Sequence, residues 1–237
     1  MSRSENALPH LAVDWPAPQR VQAYTTLRHT LESVETAKRA LASALPREPS
    51  WIKQVHGTAV FDVDASADAP RAELPVADAA ITTRVNTPLV ASTADCLPVF
   101  FAAADASAIG VAHAGWRGLA AGVLENTAAA LRAKRPHALW LAHLGPAIGP
   151  HAFEVGGDVF EAFVSQDAAA QQAFTDKGGG KYWCNLYLLA QQRLRAAGIT
   201  QISGGALCTV TDSARFYSFR RDRRIIDHLR SVIWISG

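Results

Sequence analysis

Among the 237 residues, Cys96, His113 and His56 are the side chains with the strongest claim to chemistry. A thiolate and two imidazoles are ligands suited to zinc. Three protein ligands leave a fourth position open for water or substrate, which is the catalytic rather than the structural pattern. Zinc in such a site lowers the pKa of its water to about 7. The bland alternatives stand beside this one: Cys96 as an ordinary buried cysteine, His113 as a hydrogen-bonded strand-end histidine, His56 as a turn residue. Arg117, between Gly115 and Gly118, opens a predicted helix. Free backbone N–H groups there, with a guanidinium beside them, suit a phosphate or carboxylate, and a surface arginine is the plain alternative.

The elements that would position these residues are two apolar runs, Leu97–Ala103 and Ala108–Ala112, of the length and content of buried strands. Asp105 to Ser107 between them reads as a turn, so the runs form a hairpin. Cys96, just before the first run, and His113, just after the second, then meet at one end of the sheet. His56 follows WIKQV and precedes Gly57, a place for a turn or a close approach. Further strands are predicted at Val21–Thr26, Ser50–Val55, Ala59–Val63, Ala79–Thr83, Pro88–Thr93, Leu139–Leu144, Ala206–Val210, Phe216–Phe219 and Val232–Ile235. Helices are predicted over Leu31–Leu45, over Leu119–Leu131 as one unit ending before Pro136, and over Gly156–Val164 and Leu186–Ala197. Asp64–Pro75 reads as an exposed loop and DKGGGK as a flexible connection. Mixed strands and helices without a repeat suggest an α+β or layered sandwich, with residues 1–237 in one domain.

Composition closes off several classes. Hydrophobic content of 49% with 19% charge is that of a globular chain. A net charge of +2 gives no argument for nucleic acid, and no feature calls for a protein partner. No apolar run approaches the ~20 residues that span a bilayer, and the first residues lack the apolar stretch of a secretory signal. Three widely spaced cysteines without a C-x-x-C fit a reducing cytoplasm, with Cys184 and Cys208 read as core. Arg220, Arg221, Arg223 and Arg224 form a basic cluster, either a solvated face or an anion site. No dinucleotide fingerprint or P-loop is present. With eight histidines, none in an H-x-H pair, and one methionine, the chain does not suit a multicopper oxidase mechanism.

Taken together, PSWIKQVHGTAV, ADAAITT, STADCLPVFFA, VAHAGWRGLAAGVLENT, GPAIGPHAFEVG, GGALCT and RFYSFRRD resemble the YfiH-like family. That family was once labelled "laccase domain", and its members are described as purine nucleoside phosphorylases. The resemblance implies a single-domain sandwich of mixed β-sheets enclosed by helices. It implies that His56, Cys96 and His113 gather around one zinc, or copper, ion. The implied substrates are phosphate and adenosine, inosine or methylthioadenosine, split to free base and ribose 1-phosphate. Adenosine deamination and cytoplasmic muropeptide editing are other activities it suggests; a non-catalytic metal-binding protein is the reading from another class. Arg117 is the first candidate for the phosphate and Arg220 the second; Asp95, His143 and Glu154 are candidate general acids. The chain departs from the family pattern near TTLRHTLESVETAKRAL, at Asn185 where Asp is common, and after RRD, where RRIIDHLR stands.

Overall fold

A computed structural model describes residues 8–29, 33–66, 73–224 and 227–237. The chain runs through β1 (His10–Ala12), β2 (Val21–Thr26), α1 (Val34–Ser43), β3 (Val60–Asp62), β4 (Ala79–Thr82) and β5 (Leu89–Thr93). Then follow β6 (Leu97–Ala103), β7 (Ile109–Ala114), α2 (Trp116–Ala121), α3 (Val123–Lys134), β8 (Trp140–Leu144), β9 (Glu154–Gly156) and α4 (Gly157–Val164). After a 3-10 turn come β10 (Phe174–Gly178), β11 (Lys181–Cys184), α5 (Leu186–Ala196), β12 (Gln201–Gly204), α6 (Phe219–Asp222) and β13 (Leu229–Ile235). The described strands form a six-stranded sheet, β12-β8-β6-β7-β4-β3, a four-stranded sheet, β1-β2-β13-β5, and a small sheet, β10-β11-β9.

The unbroken apolar character of β6 has a direct cause: both of its faces are buried. Successive side chains alternate between faces. Leu97, Val99 and Phe101 pack with Leu124 and Leu131 of α3 and Leu189 of α5. Phe100 and Ala102 point the other way, against Leu89 and Ala91 of β5 and Ile233 of β13. The outer face of the four-stranded sheet, with Val90 and Val232, is closed by Leu41 of α1. The layers therefore follow as helix, sheet, sheet, helices, the α+β sandwich that the sequence suggested.

The predicted hairpin forms, antiparallel, with Leu97 opposite Ala114 and Pro98 opposite His113. In β7, Ile109 and Val111 face the four-stranded sheet. His113 shares their parity, so it emerges between the sheets at the end where Cys96 begins.

Several local expectations are corrected. Ser50–Val55 makes only isolated bridges, Ser50 to Leu89 and Lys53 to Val76, and is no strand. The helix expected after HAGWRG is two, broken at Gly122, which has a left-handed φ of 102°. DKGGGK is the tip of the β10–β11 hairpin. Ala206–Val210 is held by one bridge, Ala147 to Cys208, and Phe216–Phe219 runs into α6 instead of a strand. Helix α1 begins at Val34, capped by the Ser33 side chain. The first part of its expected span, residues 31–32, lies outside the described residues, as do residues 67–72 of the expected Asp64–Pro75 loop. Among the described residues, no helix is long and apolar enough to cross a membrane.

Candidate active site

Asp78, fully buried just before β4, organises one side of the site. Its carboxylate accepts backbone hydrogen bonds from Val55 (3.2 Å), His56 (2.9 Å) and Gly57 (2.7 Å). It also pairs with Nδ1 of His113 at 2.8 Å. The QVHG segment has no ladder of its own, so this carboxylate takes the place of a strand partner. It holds His56 at a positive φ of 61°. An ionised carboxylate accepts only, so His113 Nδ1 carries the proton and Nε2 is left for the site. Burial raises the Asp78 pKa, but the bonds from His113, Gly57 and Val55 outweigh it and leave the group below the ordinary carboxylate range. Gln54 completes the anchorage: its amide donates to Ser92 O and accepts from Ser92 N, both at 2.8 Å, which pins the loop to β5.

Cys96 and His113 meet as the hairpin predicted, and His56 comes in beside them from the segment before β3. Their ligand atoms all lie within 4.8 Å of one another. Cys96 Sγ is 3.8 Å from His56 Nε2, and the two imidazoles meet edge to face with centroids 4.8 Å apart. Burial raises the thiol pKa, but hydrogen bonds and charge from His113 and His56 bring it down to about 7. Burial lowers the His113 pKa, yet Asp78 and Cys96 push it up to about 9. The two histidines thus favour the thiolate of Cys96, the form a metal ligand must take. Tetrahedral zinc with bonds of about 2.0–2.3 Å separates its ligand atoms by roughly 3.4–3.6 Å, so the triad need close by only about an ångström. The donor set and its Asp78 support fit a zinc-type centre.

Helix α2 reaches this centre because its N-cap, Gly115, and its own Gly118 have no Cβ. A Cβ on Gly115 would lie 2.8 Å from His56 Cδ2 and 3.0 Å from Cys96 Sγ; one on Gly118 would lie 2.8 Å from Gly57 O. The spacing of HAGWRG is thus explained by close approach rather than by turn formation.

A cavity of about 520 Å³ opens beside the triad, within the range of small-molecule sites. Ile52, Ile148, Phe153, Leu186 and Phe219 supply apolar walls; Gln54, Ser92, Thr93, Arg220 and His228 bring polar groups. Arg220 is half-buried, stacks over Phe153 at 5.5 Å and donates from Nη1 and Nη2 to Glu154 O at 3.1 and 3.2 Å. Arg117 is exposed, lies over the Trp116 ring at 4.4 Å and is not among the cavity-lining residues. Trp116 both packs on the core and lines the cavity.

Of the three candidate acids, only Asp95 lines the cavity. Asp95 Oδ1 accepts from Thr209 Oγ1, and its Oδ2 accepts from Ser218 Oγ and Arg220 N at the start of α6. His143 lies away from the cavity, packed on Trp15 and Phe100 and bonded to Ser203 at 3.0 Å. Glu154 directs its carboxylate outward to Lys177. In the basic cluster, Arg221 is a brace, donating to Thr209 O, Val210 O and Phe216 O and pairing with Asp222. Arg223 and Arg224 are exposed, and Ile225–Ile226 lie outside the described residues. Asn185 caps α5 by accepting from Leu188 N at 3.0 Å, a role Asp fills equally well. All three cysteines are free. Cys184 is core, its thiol pushed up to about 12 by burial, whereas Cys208 is half-exposed and accepts from Gly149 N at 3.2 Å.

Sequence reasoning missed Asp78, Gln54 and His228. Only Asp78 carried a signal, a lone acid opening the apolar run of ADAAITT.

Comparison with known proteins agrees with this architecture. A Xylella fastidiosa protein named purine nucleoside phosphorylase is 46% identical over 253 residues, covering 95% of this chain and 96% of its own. The Escherichia coli protein named purine nucleoside phosphorylase YfiH is 45% identical over 202 residues, covering 85% of this chain and 80% of its own. The crystal structure of a Neisseria meningitidis protein superposes with a TM-score of 0.85 at 36% identity, covering 96% of this chain and 99% of that one. Residues 23–236 match the family described as multi-copper polyphenol oxidoreductase laccase. The chain belongs to that family, whose YfiH-named relatives carry the phosphorylase name.

Proposed function

We propose that this chain is a purine nucleoside phosphorylase of the cytoplasm, acting on adenosine, inosine and methylthioadenosine, with residues 1–237 folded as one domain. The observation that carries the reading is one cavity of about 520 Å³ that holds His56, Cys96 and His113 together with the Arg220 guanidinium and an apolar wall. The relatives' names point the same way. Among the described residues there is one cluster with metal-ligand geometry, which supports a single metal rather than a multicopper relay.

In the reaction, a phosphate oxygen bonds to C1′ of the ribose as the C1′–N9 bond breaks. The bonding electrons leave with the purine, which takes up a proton. Arg220 is assigned to the phosphate ahead of Arg117, because it lines the cavity and Arg117 does not. Ile148, Phe153 and Phe219 offer the surface for the flat base. Zinc, or copper, held by His56, Cys96 and His113 would supply Lewis-acid polarisation. Asp78 keeps the His113 Nδ1 proton in place and its Nε2 directed inward. The same centre would serve adenosine deamination, which requires water instead of phosphate.

The test is a product assay on purified, metal-quantified protein with adenosine or inosine, with and without phosphate. Phosphate-dependent release of base and ribose 1-phosphate, lost in Cys96→Ala, is the expected result. Inosine formed from adenosine without phosphate would show deamination. No turnover of either nucleoside by protein holding one metal per chain would overturn the reading.

A further inference from the structure

Asp95, between β5 and β6, has a positive φ of 94° and directly precedes Cys96. Its carbonyl accepts from Ile148 N at 2.9 Å. Its carboxylate reaches across the chain: Oδ1 accepts from Thr209 Oγ1 at 2.5 Å, and Oδ2 accepts from Ser218 Oγ at 3.1 Å and from Arg220 N at 2.7 Å. Thr209 and Ser218 are fully buried. Ser218 also caps α6 through Arg221 N at 3.2 Å, and α6 carries Phe219 and Arg220 into the cavity wall. One residue thus joins the thiol, the Ile148 loop and the helix bearing the cavity's arginine. With both oxygens occupied by donors from buried or capping groups, this carboxylate is placed to hold rather than to deliver a proton.

We propose that Asp95 is a positioning residue with two separable tasks. Its left-handed backbone aims Cys96 at the two imidazoles, and its carboxylate fixes where Phe219 and Arg220 stand relative to that thiol. Only the consequence for phosphate rests on the phosphorylase reading.

Three substitutions separate the tasks. Asp95→Gly keeps the left-handed conformation and removes the carboxylate; Asp95→Asn keeps the conformation and one accepting oxygen; Asp95→Ala loses both features. Cobalt(II) added to the metal-free full chain reports the backbone task through the thiolate-to-cobalt absorption band. The glycine and asparagine variants should bind within about threefold of the parent, and the alanine variant at least about tenfold more weakly. Amide hydrogen exchange at Phe219 and Arg220 reports the carboxylate task, and it should speed up by about tenfold or more in the glycine variant. With the enzyme loaded, the KM for inorganic phosphate should rise about tenfold in Asp95→Gly while kcat stays within about threefold.

Equal cobalt affinity in the glycine and alanine variants would overturn the backbone task. Unchanged exchange at Phe219 and Arg220 would overturn the carboxylate task. Should Asp95→Gly fail to fold, Thr209→Val removes one donor at a buried site: faster exchange at α6 with unchanged cobalt binding is expected, and unchanged exchange counts against the proposal. A parent protein without phosphorolysis defeats the phosphorylase reading alone, since the cobalt and exchange measurements still decide the role of Asp95.

Discussion

The carboxylate of Asp78 does work that no other side chain near the triad shares, since it binds the backbone carrying one ligand and the ring of another. Asp78→Asn places an amide NH₂ where backbone donors now point. Metal affinity should fall by about 10–100-fold with the far-UV circular dichroism unchanged, as read by competition with a chromophoric chelator. Gly115→Ala tests the close approach of α2. Its Cβ would meet His56 Cδ2 at 2.8 Å, so the helix or the ligands must shift, at a cost of about 1–3 kcal/mol in urea unfolding and with loss of stoichiometric metal. At this scale the sequence was informative where chemistry and element ends coincided. Cys96 and His113 were legible because they border apolar runs that pair. Asp78 was not, because its partners come from a segment more than twenty residues away that has no periodic pattern. Arg117 stood ahead of Arg220 in sequence because it opens a helix between glycines, whereas packing leaves Arg117 exposed over Trp116 and sets Arg220 over Phe153 in the cavity wall.

Among the elements, those buried on both faces were read well and those defined by single contacts were not. β6 is a continuous apolar run whose ends match the reading residue for residue. Ser50–Val55 has strand-like composition, yet its donors are satisfied by Asp78 and by bridges to other segments, so no ladder forms. The triple glycine after Lys177 looked flexible, whereas its positive φ values, 84°, 62° and 71°, let the β10–β11 hairpin reverse. The α2–α3 break escaped because the apolar stripe from Leu119 to Leu131 continues in phase across it. Gly122→Ala checks the break: alanine at φ 102° should destabilise the chain by about 1–2 kcal/mol, measured by the urea midpoint with the m-value unchanged.

For the whole molecule, the α+β class and the sandwich followed from alternating strands and helices, while the order of strands in each sheet was not readable, because pairing partners lie far apart in sequence. Packing of the layers also leaves a titratable group between them. His143, on β8, packs against Trp15 and Phe100, and burial lowers its pKa to about 4. The unfolded chain takes up this proton near pH 6.5 and the folded one only near pH 4. Stability associated with the neutral ring is therefore complete above about pH 6.5 and declines as pH falls toward 4, by at most about 1.4 kcal/mol per unit. His143→Gln should flatten this part of the stability profile relative to the parent in chemical unfolding at pH 7, 6 and 5.

The place of β13 has a consequence for how the protein is made. It follows every other described strand in sequence, yet it sits inside its sheet, between β2 and β5. While the ribosome is still extending the chain, β2 and β5 have no neighbour between them, and the cavity wall borne by β5 stands unsupported. The α3-bearing layer can assemble during translation, but the second sheet must wait for β13 to emerge. A nascent chain thus exposes β-edges until β13 has cleared the ribosome, a window in which chaperones that bind unpaired strands have something to hold.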